Sequence, residues 1–122
     1  MTKFSYYTKG MNKKTKDIDK DSPINGLTVT VWTGNLDQRD ESGFPKMIDF
    51  EVLKAKTFSK AVDLYKKQYE KYEARSFDWK GHSFGCMKFY WEDQNGNNFL
   101  TVVKLNYLDN EIAEFNMEEF DF

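Results

Sequence analysis

The chain has one histidine, His82, and one cysteine, Cys86, and these are the first place to look for nucleophilic catalysis. A thiol acts as a nucleophile when a positioned base activates it. A spacing of four would set the two side chains together on a helix. Residues 84–92 read as a strand instead, where such positions lie roughly 13 Å apart along the chain. A small core thiol is the expected role of Cys86. Asp49 and Glu51 share one face of a second strand, with roughly 7 Å between them. Such a pair does acid–base work or holds magnesium in nucleases, but no lysine follows at the nuclease spacing. The other face of that strand carries Ile48, Phe50 and Val52, so the apolar side is expected in the core and the carboxylates in solvent. Asp17, Asp19 and Asp21 alternate like the start of a calcium loop. Ser22 and Thr28 stand where that loop needs glycine and glutamate. There is no CxxC, no HExxH and no glycine-rich phosphate loop. The expectation is a chain without catalytic residues, metal or cofactor.

Binding is the chemistry that remains. Single-stranded nucleic acid is held by a basic track beside exposed rings on which bases stack. One face of strand 84–92 shows Cys86, Lys88 and Tyr90; the other shows Met87, Phe89 and Trp91. Strand 99–108 adds Lys104 and Tyr107. Trp32 falls on the polar side of strand 27–33, beside Thr28 and Thr30. Trp32, Lys88, Tyr90, Lys104 and Tyr107 are therefore the candidate nucleic-acid-binding residues.

The elements that must position these residues follow from periodicity. Leu27, Val29 and Val31 alternate with Thr28, Thr30 and Trp32, which predicts a half-buried strand. Residues 34–45 read as a loop and 48–55 as a strand. From Thr57 or Ser59, both good helix caps, Phe58, Ala61, Val62, Tyr65, Tyr69 and Tyr72 recur at spacings of three and four. That is one apolar stripe on a helix of about five turns. Ser76 to His82 reads as a break, and the Asn95-Gly96 pair as a hairpin turn between two further strands. Residues 4–8 suit a short edge strand, and 9–26 a long exposed loop. The expected fold is α+β: an antiparallel sheet of four to five strands with one long helix packed on it. The order also fits an OB-fold, with 4–8 as its first strand. The expected organisation is one domain over residues 1–122: a loose basic arm and loop (1–26), a core (27–108) and an acidic extension (109–122). The 122 residues suffice for a core without disulfides, and aromatics at 17% supply much of its apolar area. No apolar run approaches a signal peptide or membrane span, and one cysteine precludes an internal disulfide. A cytoplasmic protein away from membranes is therefore expected.

Charge is segregated along the chain. Residues 1–20 carry +4 and residues 105–122 carry −6. The end of the sequence, Met117-Glu-Glu-Phe-Asp-Phe122, is acidic and closes on phenylalanine. It resembles the C-terminal tip of bacterial and phage single-stranded-DNA-binding proteins. That resemblance covers about six residues, without the proline that often precedes the last phenylalanine or the long linker of the family. It implies that Glu114, Phe115, Glu118, Glu119, Phe120, Asp121 and Phe122 form a partner-binding tail. The preponderance of Lys over Arg, with many Asn, Tyr and Phe, resembles the usage of low-GC bacteria and their phages. The leading expectation is a non-catalytic phage or mobile-element protein that binds single-stranded DNA. The alternative is an inhibitor of a host defence protein, with the same acidic and aromatic residues laid in a basic groove.

Overall fold

A computed structural model describes residues 2–83 and 85–120, with the backbone alone over 78–83. In chain order the elements are β1 (Thr2–Tyr7), β2 (Lys13–Ile18), β3 (Pro23–Arg39), β4 (Pro45–Thr57), α1 (Phe58–Glu73), β5 (Ser76–Ser83), β6 (Cys86–Glu92), β7 (Asn98–Tyr107) and β8 (Asn110–Phe115). A single 3₁₀ turn, Met117–Phe120, follows. All the strand pairs are antiparallel. The fold is thus an antiparallel sheet with one helix packed on it. Eight strands form it rather than four or five. The helix follows the fourth strand, and β2, β4 and β5 each pair on one side only among the described residues, so no barrel closes.

Two of the additional strands come from segments expected as a loop and a break. Residues 13–18 are almost wholly exposed, yet β2 pairs with β1 along its full length because an edge strand needs backbone partners and no apolar face. Ser76–Ser83, expected as a break, is β5, the outer strand of a hairpin with β6. The loop expected at 34–45 is largely strand as well. β3 and β4 continue past Gly34, and only a short turn near Ser42–Gly43 joins them.

The sheet branches at β7. Along one side, β7 pairs with β3 from end to end. Along the other, residues 98–104 pair with β6, and then Asn106 and Tyr107 pair with β8. Gly85 makes the branch possible: any side chain there would run into the Ile112 backbone of β8. Its carbonyl accepts the Leu105 N–H at 2.8 Å, which ties the start of β6 to β7. β8 then leaves the main sheet and pairs with β1, giving a small second wing, β2-β1-β8.

The core lies between the helix and the inner face of the main sheet. Leu27, Val29 and Val31 of β3, Val103 and Leu105 of β7, and Met87 and Phe89 of β6 are buried there. Phe58, Ala61, Val62, Tyr65 and Tyr72 of α1 are buried against them, as the stripe predicts, while Tyr69 is half-buried. Thr57 caps the helix by accepting the Lys60 N–H at 3.1 Å. The wing closes the near end. Phe4 stacks on Phe58 with ring centres 4.9 Å apart, and Phe115 and Phe120 meet the same ring at 5.8 and 5.6 Å.

Among the described residues, β1, β2, β8 and the 3₁₀ turn therefore take the place of the expected loose arm and extension. The basic start and acidic end lie side by side as β1, β2 and β8. Lys13 meets Glu114 at 2.7 Å, and this hydrogen bond holds the Lys13 amine above the usual lysine range. Thr2 donates its hydroxyl hydrogen to Glu119 at 2.9 Å.

The β7–β8 turn is strained. Leu108 and Asp109 both take left-handed backbone conformations, with φ of 49° and 63°. A two-residue hairpin requires this geometry, but L-residues other than Asn or Asp adopt it at a cost of about 1–2 kcal/mol. Replacing Leu108-Asp109 by Asn-Gly should raise the urea unfolding midpoint, by about 1 kcal/mol in stability. Loss of stability on that replacement would show that Leu108 is needed for its packing on Gly26.

Candidate nucleic-acid interface

A strand's alternate residues face opposite sides of the sheet, so burial of one set fixes the place of the other. With Val29, Val31, Val103 and Leu105 inside, Thr28, Thr30, Trp32, Val102 and Lys104 must face out. Cross-strand register assembles these into rows. Phe50, Trp32, Val102 and Lys88 lie side by side on β4, β3, β7 and β6. The next row holds Gly34, Leu100 and Tyr90, and the one on the other side holds Val52, Thr30, Lys104 and Cys86. Trp32 and Lys88 are thus two strand spacings apart, roughly 10 Å. The helix and the aromatic cluster of the wing both pack on the inner side, so no second layer covers the outer face among the described residues.

Four of the five candidate residues, Trp32, Lys88, Tyr90 and Lys104, share this outer face. Tyr107 does not. It is buried on the inner side, edge-on to Phe4 and Tyr6, and its hydroxyl accepts from the Lys16 ammonium at 2.8 Å. The parity of β7 decides this: 107 is odd, like the buried 103 and 105.

The outer face also gains members that sequence reading had assigned to the core. Phe50 is 51% exposed and Val52 47%. The carboxylates Asp49 and Glu51 turn to the helix side, opposite Thr33 and Val31, and are exposed too. The apolar half of β4 was visible in the sequence; which side the helix covers was not.

Local packing holds the indole of Trp32 down. A side chain on Gly34 would collide with the far ring carbons of Trp32 and with Pro45, so the ring lies over the bare glycine. The indole is partly exposed. Lys88 is exposed, and Lys104 reaches Glu111 at 3.6 Å, an ion pair open to solvent on both sides. Beneath the face, Trp91 donates its indole N–H to Thr101 at 2.9 Å, and Thr101 shares a hydrogen bond with Thr33 at 3.0 Å. These fully buried hydroxyls lock β3, β7 and β6 in register under the aromatic surface.

The acidic set is divided. Phe115 is buried and Phe120 is packed against the core, so neither is free to enter a partner's pocket. Glu114 and Glu119 have partners within the wing, and Glu118 is exposed. Asp121 and Phe122 lie outside the described residues, as does the side chain of His82. The backbone of His82 pairs with Met87 across the β5–β6 hairpin, so the expected separation from Cys86 along a single strand does not hold. Asp17 pairs with Lys3 at 3.9 Å, and the Asp19 carboxylate accepts the Asp21 N–H at 3.0 Å. No cluster of three or more metal-ligating side chains occurs among the described residues. No helix among them is long and apolar enough to cross a membrane.

Compared with known proteins, the chain matches no family model, no curated protein and no solved structure.

Cys86, at the rim of the outer face, gives a chemical probe of this geometry. Burial pushes its thiol pKa up and Glu111 pushes it further, against the pull of Lys104 and Lys88. A raised pKa leaves less thiolate at a given pH, and thiolate is the reacting form. Iodoacetamide should therefore alkylate Cys86 more slowly at pH 8 than an unhindered thiol. Glu111→Gln should accelerate the reaction, since it removes the anion and releases Lys104. An unchanged or slower rate in the variant would place Glu111 away from the thiol.

Proposed function

We propose that the chain is a non-catalytic binding module for single-stranded DNA, with the outer face of the main sheet as its interface. The observation that carries this reading is the arrangement of Trp32, Phe50, Tyr90, Lys88 and Lys104 on one uncovered face. Rings supply stacking surfaces that accept any base, and the two ammonium groups answer phosphates. Trp32 is the principal platform, because its ring is laid against the sheet by Gly34 before any ligand arrives. A preordered ring loses little side-chain entropy on stacking. Lys88 stands on the row of Trp32 and Lys104 on the adjoining row, which suits a backbone crossing the strands. The Lys104–Glu111 pair holds one ammonium in place and lets it exchange a carboxylate for a phosphate.

The acidic segment plays no recruiting role in this reading. The lysines of β1 and β2 lie on the wing rather than on the main sheet, and Lys13 among them is paired with Glu114. The number of phosphate contacts is therefore small, and the salt dependence modest for a DNA-binding protein.

Titration of a labelled thymidine oligonucleotide at several ionic strengths tests this. Trp32→Ala should weaken binding by about fivefold or more, the loss of one stacked base. Lys88→Ala should lower the slope of log affinity against log salt by about 0.7. Absence of binding by the intact chain at low salt, or full binding by a Trp32→Ala, Tyr90→Ala double variant that still unfolds cooperatively, would reject the proposal.

A further inference from the structure

The β3–β4 hairpin leaves one long strand with an open side. Among the described residues β4, thirteen residues long, pairs with β3 alone, so its alternate N–H and C=O groups point away from the sheet without a described strand to meet them. From Lys46 to Val52 its side chains are exposed on both faces. Met47, Ile48, Phe50 and Val52 are among the exposed large hydrophobic residues of the described chain, and all four lie on this strand. An open edge with apolar side chains is a template for another strand.

Charge selects which strand. A groove of about 330 Å³ runs beside β4, lined by Lys54 and Lys56 from the strand and by Lys60, Asp63, Leu64 and Lys67 from α1. No residue of β3 lines it, so it lies on the unpaired side. The helix residues recur at spacings of three and four, which puts them on one stripe about 10 Å long. Four ammonium groups against one carboxylate make the groove basic. We propose that the β4 edge docks an extended acidic segment of a partner protein, which adds as a further strand along residues 46–56. Its backbone pairs with β4, its apolar side chains meet Met47, Phe50 and Val52 on the outer face, and its carboxylates, on the helix side, lie over Lys60 and Lys67. Main-chain bonds supply affinity in such strand addition, and the flanking side chains supply specificity. A second copy of the chain is a poorer occupant. The antiparallel register that matches the apolar residues of two β4 strands centres on Phe50 and sets Asp49 against Glu51 of the other copy, twice. Like charges directly opposite are destabilising.

The test uses the full chain and a fluorescent peptide of alternating aspartate and valine, about ten residues long. A lysine–valine peptide is the control. The aspartate peptide should bind and the lysine peptide should not. Lys60→Glu with Lys67→Glu, both on the helix surface, should weaken the aspartate peptide by about tenfold or more. Amide hydrogen exchange across 46–56 should slow on binding, because the open N–H groups acquire partners. Four results would overturn the proposal: no binding of the aspartate peptide, equal binding of both peptides, binding without added protection of β4, or retained affinity in the double variant. A thymidine oligonucleotide that displaces the peptide and loses affinity in the same double variant would assign the groove to nucleic acid. A concentration-dependent dimer dispersed by the peptide would assign the edge to a second copy.

Discussion

The structure depends on β7 having two successive neighbours along one side. A strand side offers a single row of hydrogen-bonding groups, and two strands can use it only in turn. β6 takes the first stretch and β8 the last two rungs. The handover requires that β6 begin where β8 bends away, with no side chain in the gap, and Gly85 meets that requirement against Ile112. Everything distinctive about the fold follows. The wing β2-β1-β8 diverges from the main sheet, its inner face wraps the first turn of the helix, and Phe4, Phe58, Phe115 and Phe120 fill the angle between them. Because the wing and the helix are both drawn to one side, the other side of the main sheet is left open among the described residues.

The same asymmetry explains the charge distribution. A +4 segment and a −6 segment far apart in sequence look like two independent tails. In the fold β1 of the first segment lies beside β8 of the second, and Lys13–Glu114 and Thr2–Glu119 tie the two segments. The opposite charges serve first to match neighbours in the wing. An exposed pair such as Lys13–Glu114 contributes little stability by itself.

Much of the central part was legible in the sequence. The helix from Thr57, the inward Leu27–Val29–Val31 set and the outward Trp32 follow from periodicity alone, because each element buries one face and exposes the other. The wing was not legible. β2 carries almost no apolar residue, and the β7–β8 turn at Leu108–Asp109 lacks the glycine or asparagine that marks a two-residue hairpin. Without that turn, β8 read as an acidic extension. Of the candidate site, Trp32, Lys88, Tyr90 and Lys104 were found together because strand parity is a local property. Tyr107 was grouped with Lys104 although parity sets the two on opposite faces of one strand. Phe50 and Val52 were misplaced because parity alone does not say which side a second layer covers.

The wing also has a consequence for how the chain reaches its native state. β1 finds β2 within a few residues, but its other neighbour, β8, lies more than a hundred positions away: Ser5 pairs with Glu114. Closing so large a loop carries an entropic cost that must be met before the contact returns anything, and folds dominated by such pairings form slowly. The ring of Phe58, on the first turn of the helix, waits for both partners. Until β8 arrives, the helix has the main sheet on one side and Phe58 lacks Phe115 and Phe120. The pairing that closes this loop also brings Glu114 to Lys13, so the long-range contact joins the acidic segment to the basic one.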